Sequence, residues 1–256
     1  MTDASPFSLR GKIVIQFGGS GLLGPALTTA LVRADATVVI ASRSPGSLLG
    51  ELPAHAVFQE QVNIEDPASL QSLRDRVLAR HKRIDGVVYN AASRPMRSFD
   101  DSLEAWQSSM ATNATGFFST MRIFGDALAA QKAGSIVNIA SMQGTIGINP
   151  WLYEGTTITA TPDYFFHKAG MINLTRYLAS YYGAQGVRVN TVSPGGITNP
   201  AKIHPAPLLE RYAKSTMLGR MADAAEIGGA VVFLLSQAAS YVTGTDLLVD
   251  GGYTSK

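Results

Sequence analysis

The chain has no cysteine, which rules out disulfides, thiolate nucleophiles and cysteine-built zinc sites together. Its four histidines, His55, His81, His167 and His204, are scattered without metal-ligand spacing, so no metal site is expected. Charge is also scarce. Only 16% of residues are charged, against about 25% in an average soluble protein. The net charge is +2 and no lysine or arginine run occurs, so neither nucleic acid nor an acidic membrane surface is an expected partner. No apolar stretch approaches the roughly 20 residues that cross a bilayer. The first residues lack a basic region followed by an apolar run, so a cytoplasmic protein is expected. What the chain has in quantity is apolar: 46% of 256 residues, enough for a large core. The thin polar shell is the composition of a chain that buries part of its surface in an oligomer.

Short apolar runs at 12–17, 37–41, 56–62, 84–89, 134–140, 187–191 and 246–249 alternate with helical patterns. Helices are expected over 22–33, from Asp66-Pro67 onward with Leu70, Leu73, Val77 and Leu78 on one face, and over 103–130, 164–182 and 224–236. Strands this apolar are buried on both faces, as parallel strands covered by helices are. The pattern therefore predicts an α/β fold of Rossmann type, a doubly wound parallel sheet of about seven strands with helices on both faces. No linker, low-complexity tract or repeat divides the chain, so residues 1–256 read as one domain. Loops at 91–102, 142–162 and 194–215 would build the binding surface.

Two local features carry chemistry. After the first strand comes Phe17-Gly18-Gly19-Ser20-Gly21-Leu22-Leu23-Gly24, a turn in which glycines let backbone amides approach a pyrophosphate at a helix N-terminus. The second strand ends at Ser42-Arg43, where an NAD-preferring site usually carries an acid for the ribose 2′-hydroxyl. A hydroxyl and a guanidinium suit a 2′-phosphate instead, so NADP(H) is expected over NAD(H). The second feature is Tyr164-Phe165-Phe166-His167-Lys168. A tyrosine and a lysine four apart share one helix face, and a neighbouring cation favours a phenolate, which makes tyrosine a usable general acid/base.

The order of these features resembles the short-chain dehydrogenase/reductase family over nearly the whole chain. The likeness extends to Tyr89-Asn90-Ala91-Ala92, to Asn113 within Ala111–Gly116, to Ser141 after the fifth strand, to 188–195, and to the C-terminal stretch from Tyr241 to Gly252. It implies an oxidoreductase that interconverts a secondary alcohol and a ketone by hydride transfer. Tyr164 would be the proton donor and acceptor, and Lys168 would favour its phenolate and hold the nicotinamide ribose. Ser141 would bind the substrate oxygen, and Asn113 would anchor the water that serves Lys168. Gly18, Ser20, Gly21, Leu22, Leu23, Gly24, Ser42, Arg43, Asn63, Ile64, Asn90, Ala91, Pro194, Gly195 and Ile197 would line the dinucleotide with Tyr164 and Lys168. A homodimer or homotetramer through the 103–130 and 164–182 helices is also implied. A non-catalytic nucleotide-binding or scaffold protein of the same fold is the alternative, but such a protein would be expected to lose Tyr164, Lys168 or Ser141.

The chain also departs from the family pattern. Leu22 replaces the middle glycine of Gly-x-x-x-Gly-x-Gly and Gly21 comes one residue early, a spacing similar to the longer, sugar-nucleotide-modifying branch. Phe17 stands where threonine is usual, and Asn63 where aspartate is common. Ser141 and Tyr164 are separated by an insertion, 147–162, expected to form a substrate wall or to pack on a neighbouring subunit. Its Tyr153–Thr156 stretch resembles members found with bacterial glycan and flagellin-sugar modification. Arg94, Arg97, Gln143, Trp151, Tyr153, Glu154 and His204 are the candidate substrate residues. Aromatic and hydrogen-bonding groups suit a sugar-derived ligand, and two arginines suit an anionic one.

Overall fold

The protein was analysed as a computed structural model, which describes residues 5–44, 52–201 and 204–256. Seven strands form one parallel sheet: β1 (Ile13–Phe17), β2 (Thr37–Ser42), β3 (Val57–Gln61), β4 (Gly86–Tyr89), β5 (Gly134–Ile139), β6 (Val187–Pro194) and β7 (Asp246–Val249). Their order is β3-β2-β1-β4-β5-β6-β7, so the order in which strands are added reverses between β1 and β4. The helices are α1 (Gly24–Arg33), α2 (Pro67–His81), α3 (Leu103–Met110), α4 (Phe117–Ala130), α5 (Pro162–Tyr182), α6 (Ala206–Ser215) and α7 (Ala225–Leu235).

Alternation along each strand sorts the core into two layers. Ile15, Phe17, Val39, Ala41, Val87 and Tyr89 face Leu70, Leu73, Met121, Phe124 and Met171 from α2, α4 and α5. Val14, Val38, Ile40 and Val88 face Leu27, Leu31, Ile227, Val231 and Leu234 from α1 and α7. Both faces of the sheet are therefore covered, as the apolar strands predicted. The α2 start is equally direct: the Asp66 side chain accepts from the Ala68 N–H at 2.9 Å, with Pro67 next. Such a cap stabilises a helix by about 1 kcal/mol.

Several boundaries differ from the sequence reading. α1 begins at Gly24, because Leu22 and Leu23 stay in the turn and Pro25 opens the helix. The expected 103–130 helix is divided by a π turn, Ala111–Gly116, which the helix-compatible residues there do not announce. β4 starts at Gly86 rather than 84, and β6 runs on to Pro194. α6 lies inside the expected 194–215 loop; its Leu208 and Tyr212 pack under the insertion.

Candidate active site

In a parallel sheet all carboxyl ends share one edge, and ligands bind there where the strand order reverses. Gly18, Asn90, Ser141 and Gly195 follow β1, β4, β5 and β6 on that edge. Gly18 has φ +78°, and a Cβ there would lie 2.6 Å from the Ala91 nitrogen. Only glycine lets the turn close this tightly on the β4 loop. The Asn90 side chain locks the approach, its Nδ2 donating to the Gly18 carbonyl at 2.9 Å. A narrow glycine turn opening a helix at the switch point fits a dinucleotide. Ser20, Gly21 and Leu22 are exposed along it.

Further along the edge, Arg43 is exposed and makes no ion pair with any described residue. With Glu60, Gln61, Val62, Asn63, Ser69 and Arg76 it lines one depression. Arg76 is committed to Glu60, Ser72 and the Gln61 carbonyl, so among the described residues Arg43 is the cation available there. The Ser42 hydroxyl donates to the Ser44 carbonyl. Ile64 packs into the core under Gly116.

Tyr164 and Lys168 lie in the first two turns of α5. Lys168 is 5% exposed, and its Nζ donates to the Ile139 carbonyl at 2.7 Å, two residues before Ser141. Gly144 makes this closeness possible, since a Cβ there would lie 2.8 Å from the Lys168 backbone. Ser141 begins the same turn, its hydroxyl accepting from the Gln143 N–H at 3.2 Å. Burial first, and then the Arg94 guanidinium, push Lys168 down to about 7. Arg94 sits 4.5 Å from the Tyr164 ring centroid, and Lys168 Nζ 5.7 Å from it. Two cationic groups therefore lie against one phenol, with no carboxylate paired to either among the described residues.

Asn113 belongs to the π turn and is 2% exposed. Its Nδ2 donates to the Ser93 carbonyl (2.8 Å) and to Ser109 Oγ (3.0 Å), while its Oδ1 accepts the Ser93 N–H (2.9 Å). The side chain is thus fully engaged in holding the loop before Arg94. His167, edge-on to Tyr164 at 5.3 Å, is held down to about 3 mainly by burial and also by Lys168, so it is neutral.

The substrate residues divide. Arg94, Gln143 and Tyr153 come together around Tyr164: Gln143 Nε2 donates to the Tyr153 hydroxyl at 3.0 Å, and burial raises the Tyr153 phenol. Arg97 lies beside Asp101, which accepts its backbone N–H, and the Arg97 carbonyl accepts the Thr159 hydroxyl of the insertion. Trp151 and Glu154 attach the insertion to α6. The Arg211 guanidinium lies 5.8 Å from the Trp151 ring centroid and bonds the Glu154 carbonyl. His204 Nε2 accepts the Asn199 N–H at 2.9 Å and so pins its own loop. Leu152, Met142, Leu208 and Tyr212 form a buried cluster joined by Tyr253, so the insertion packs on its own chain. The Tyr212 hydroxyl accepts the Gly196 N–H, holding the segment after β6 on α6. Tyr212 and Tyr253 were missed in the sequence because no spacing links them to Tyr164.

A glycine turn at a switch point, with a tyrosine–lysine pair on the same edge, defines a nicotinamide-dependent oxidoreductase site of Rossmann type. A family model described as enoyl-(acyl carrier protein) reductase matches residues 21–254. The chain is 31% identical to the D-threitol dehydrogenase of Mycolicibacterium smegmatis over 260 residues, covering 98% of this chain and 95% of that one. It is 32% identical to the NADP-dependent mannitol dehydrogenase of Alternaria alternata over 258 residues, covering 96% and 94%. A short-chain dehydrogenase of Leptospira borgpetersenii with bound NAD+ superposes with a TM-score of 0.89 at 26% identity, over 99% and 97% of the two chains. The chain belongs to the short-chain dehydrogenase/reductase family.

Proposed function

We propose that the protein interconverts a secondary alcohol and a ketone on a sugar-derived polyol, with NADP(H) preferred over NAD(H). The observation that carries this reading is the Tyr164 phenol lying against Lys168 and Arg94 beside the glycine turn. The dinucleotide, when bound, supplies or accepts the hydride. The Ser141 hydroxyl bonds the substrate oxygen and stabilises the charge that develops there. Tyr164 gives or takes the proton at Oη, with the Lys168 and Arg94 side chains against its ring. Lys168 and the Pro194–Ile197 segment hold the nicotinamide end, and Arg43 holds the 2′-phosphate.

The threitol and mannitol dehydrogenases among the relatives support a polyol. The likeness of Tyr153–Thr156 to glycan-modifying members extends the candidates to acidic sugars, for which Arg94, against the Tyr164 ring, would be the cation. Absorbance at 340 nm with both cofactors, against alditols, aldonates, keto-sugars and simple ketones, tests the reading. Turnover confined to simple ketones would sink the polyol assignment. Arg94→Ala is expected to raise KM for aldonates and leave that for alditols; an unchanged KM for every substrate means that Arg94 holds none of them. Arg43→Asp is expected to shift the NADPH/NADH ratio toward NADH by about tenfold or more, the worth of a charge-assisted bond. An unchanged ratio removes the assignment to Arg43.

A further inference from the structure

Asp163 directly precedes Tyr164 and is 1% exposed. An acid in a first helical turn gains from the helix dipole whether or not it is buried. Burying one costs far more than the dipole returns, so helix stability alone does not account for its position. One carboxylate oxygen accepts the Ser109 O–H at 2.5 Å, the short distance of a charge-assisted bond. Ser109 is the penultimate residue of α3 and is fully buried. With its proton committed to Asp163, Ser109 Oγ is left as an acceptor, and Asn113 Nδ2 donates to it. The Ser93 N–H and C=O have fixed polarity and set which way the Asn113 amide faces, and Ser109, its proton held by Asp163, presents the lone pair that this orientation requires. Were the hydroxyl turned toward Asn113, its hydrogen would meet those of Nδ2, and the third bond holding the amide would be lost. Ser93 precedes Arg94, whose guanidinium lies on the Tyr164 ring. The path from Asp163 through Ser109, Asn113, Ser93 and Arg94 therefore returns to Tyr164, the next residue in the chain.

We propose that Asp163 is a positioning residue of the hydride-transfer site: by holding the Ser109 proton it keeps Ser109 as the acceptor that the Asn113 amide needs, and so steadies the loop that seats Arg94 on Tyr164. His167 lies one turn along α5 from Asp163, buried and with both ring nitrogens unpartnered among the described residues, as is the second oxygen of Asp163. Lys168 faces the same end of α5 from the next position. Neither is part of the bonded path, which runs only through Ser109.

The inference rests on the reading of Tyr164 as acid/base and is tested on the alditol or aldonate turned over fastest. Asp163→Asn, Ser109→Ala and their double variant are compared by kcat, KM, dinucleotide affinity and melting temperature. The isosteric Asp163→Asn permits the Ser109 hydroxyl to turn. It is expected to lower kcat on the order of 10- to 100-fold, as a misplacement near the reacting atoms does. KM for the alditol and dinucleotide affinity are expected to stay within about twofold. Ser109→Ala is expected to do the same, and the double variant to be no worse than the worse single one. Ser109→Thr keeps the hydroxyl and is expected to keep kcat within about threefold of wild type. If Asp163→Asn does not fold, the Ser109 Ala/Thr contrast decides alone. Additive losses, equal losses in Ala and Thr, or a lowered melting temperature with kcat intact would overturn the proposal. Failure of the underlying reading has a different mark: Tyr164→Phe would then turn over like wild type.

Discussion

Tyr164→Phe is expected to abolish turnover with every accepted alcohol or ketone while leaving the protein folded and the dinucleotide bound. A positioned acid/base contributes about 10²–10⁴ in rate, so a kcat loss of about 10³-fold is the outcome to look for. The substitution is clean because of what surrounds the ring. The Tyr164 hydroxyl makes no hydrogen bond to another described residue. The contacts of the ring itself, with Arg94 at 4.5 Å and His167 at 5.3 Å, survive in phenylalanine. Steady-state rates beside a fluorescence titration with NADPH make the measurement. A variant that keeps more than a tenth of wild-type kcat would show that the proton travels by another group.

Lys168→Met is expected to make the protein more stable and inactive. In the folded chain Lys168 is held at about 7, against 10.5 when unfolded. Between those values the unfolded chain binds the extra proton, so stability rises with pH across that window. Below about pH 7 the burden is complete, on the order of 5 kcal/mol. Methionine removes it but orphans the Ile139 carbonyl, which costs about 1–3 kcal/mol. The desolvation effect is the larger, so methionine wins at neutral pH. Melting temperatures of the two proteins without dinucleotide, from pH 6 to pH 10, carry the signature. The variant should lead at low pH, and its lead should shrink as pH approaches 10. A lead independent of pH would mean that the gain is packing rather than charge.

The sheet was legible because its strands are short apolar runs with no rival reading, and because Asp66-Pro67 marks a helix start chemically. The π turn was not legible. Ala111–Gly116 contains no proline, and its lone glycine marks no register change by itself; that change goes with what Asn113 and Gly116 meet: Ser93, Ser109 and Ile64. α6 was hidden in a loop because its burial depends on Leu152, over fifty residues earlier. In the site, Tyr164 and Lys168 show themselves by helical spacing, as the glycine turn does by composition. Arg94 was visible only as a nearby cation, and its seat on Tyr164 is a tertiary fact. Arg97, three residues on, had the same claim in the sequence and lies beside Asp101 instead. Asp163 and Ser109 are 54 positions apart, and nothing in the sequence pairs them.

α6 grips both walls of the pocket. Arg211 and Leu208 hold the insertion that carries Tyr153, and Tyr212 holds the Gly196 backbone beyond β6. The two walls are yoked to one short helix, so a substitution that loosens α6 is expected to loosen the Tyr153 wall and the Gly196 wall together.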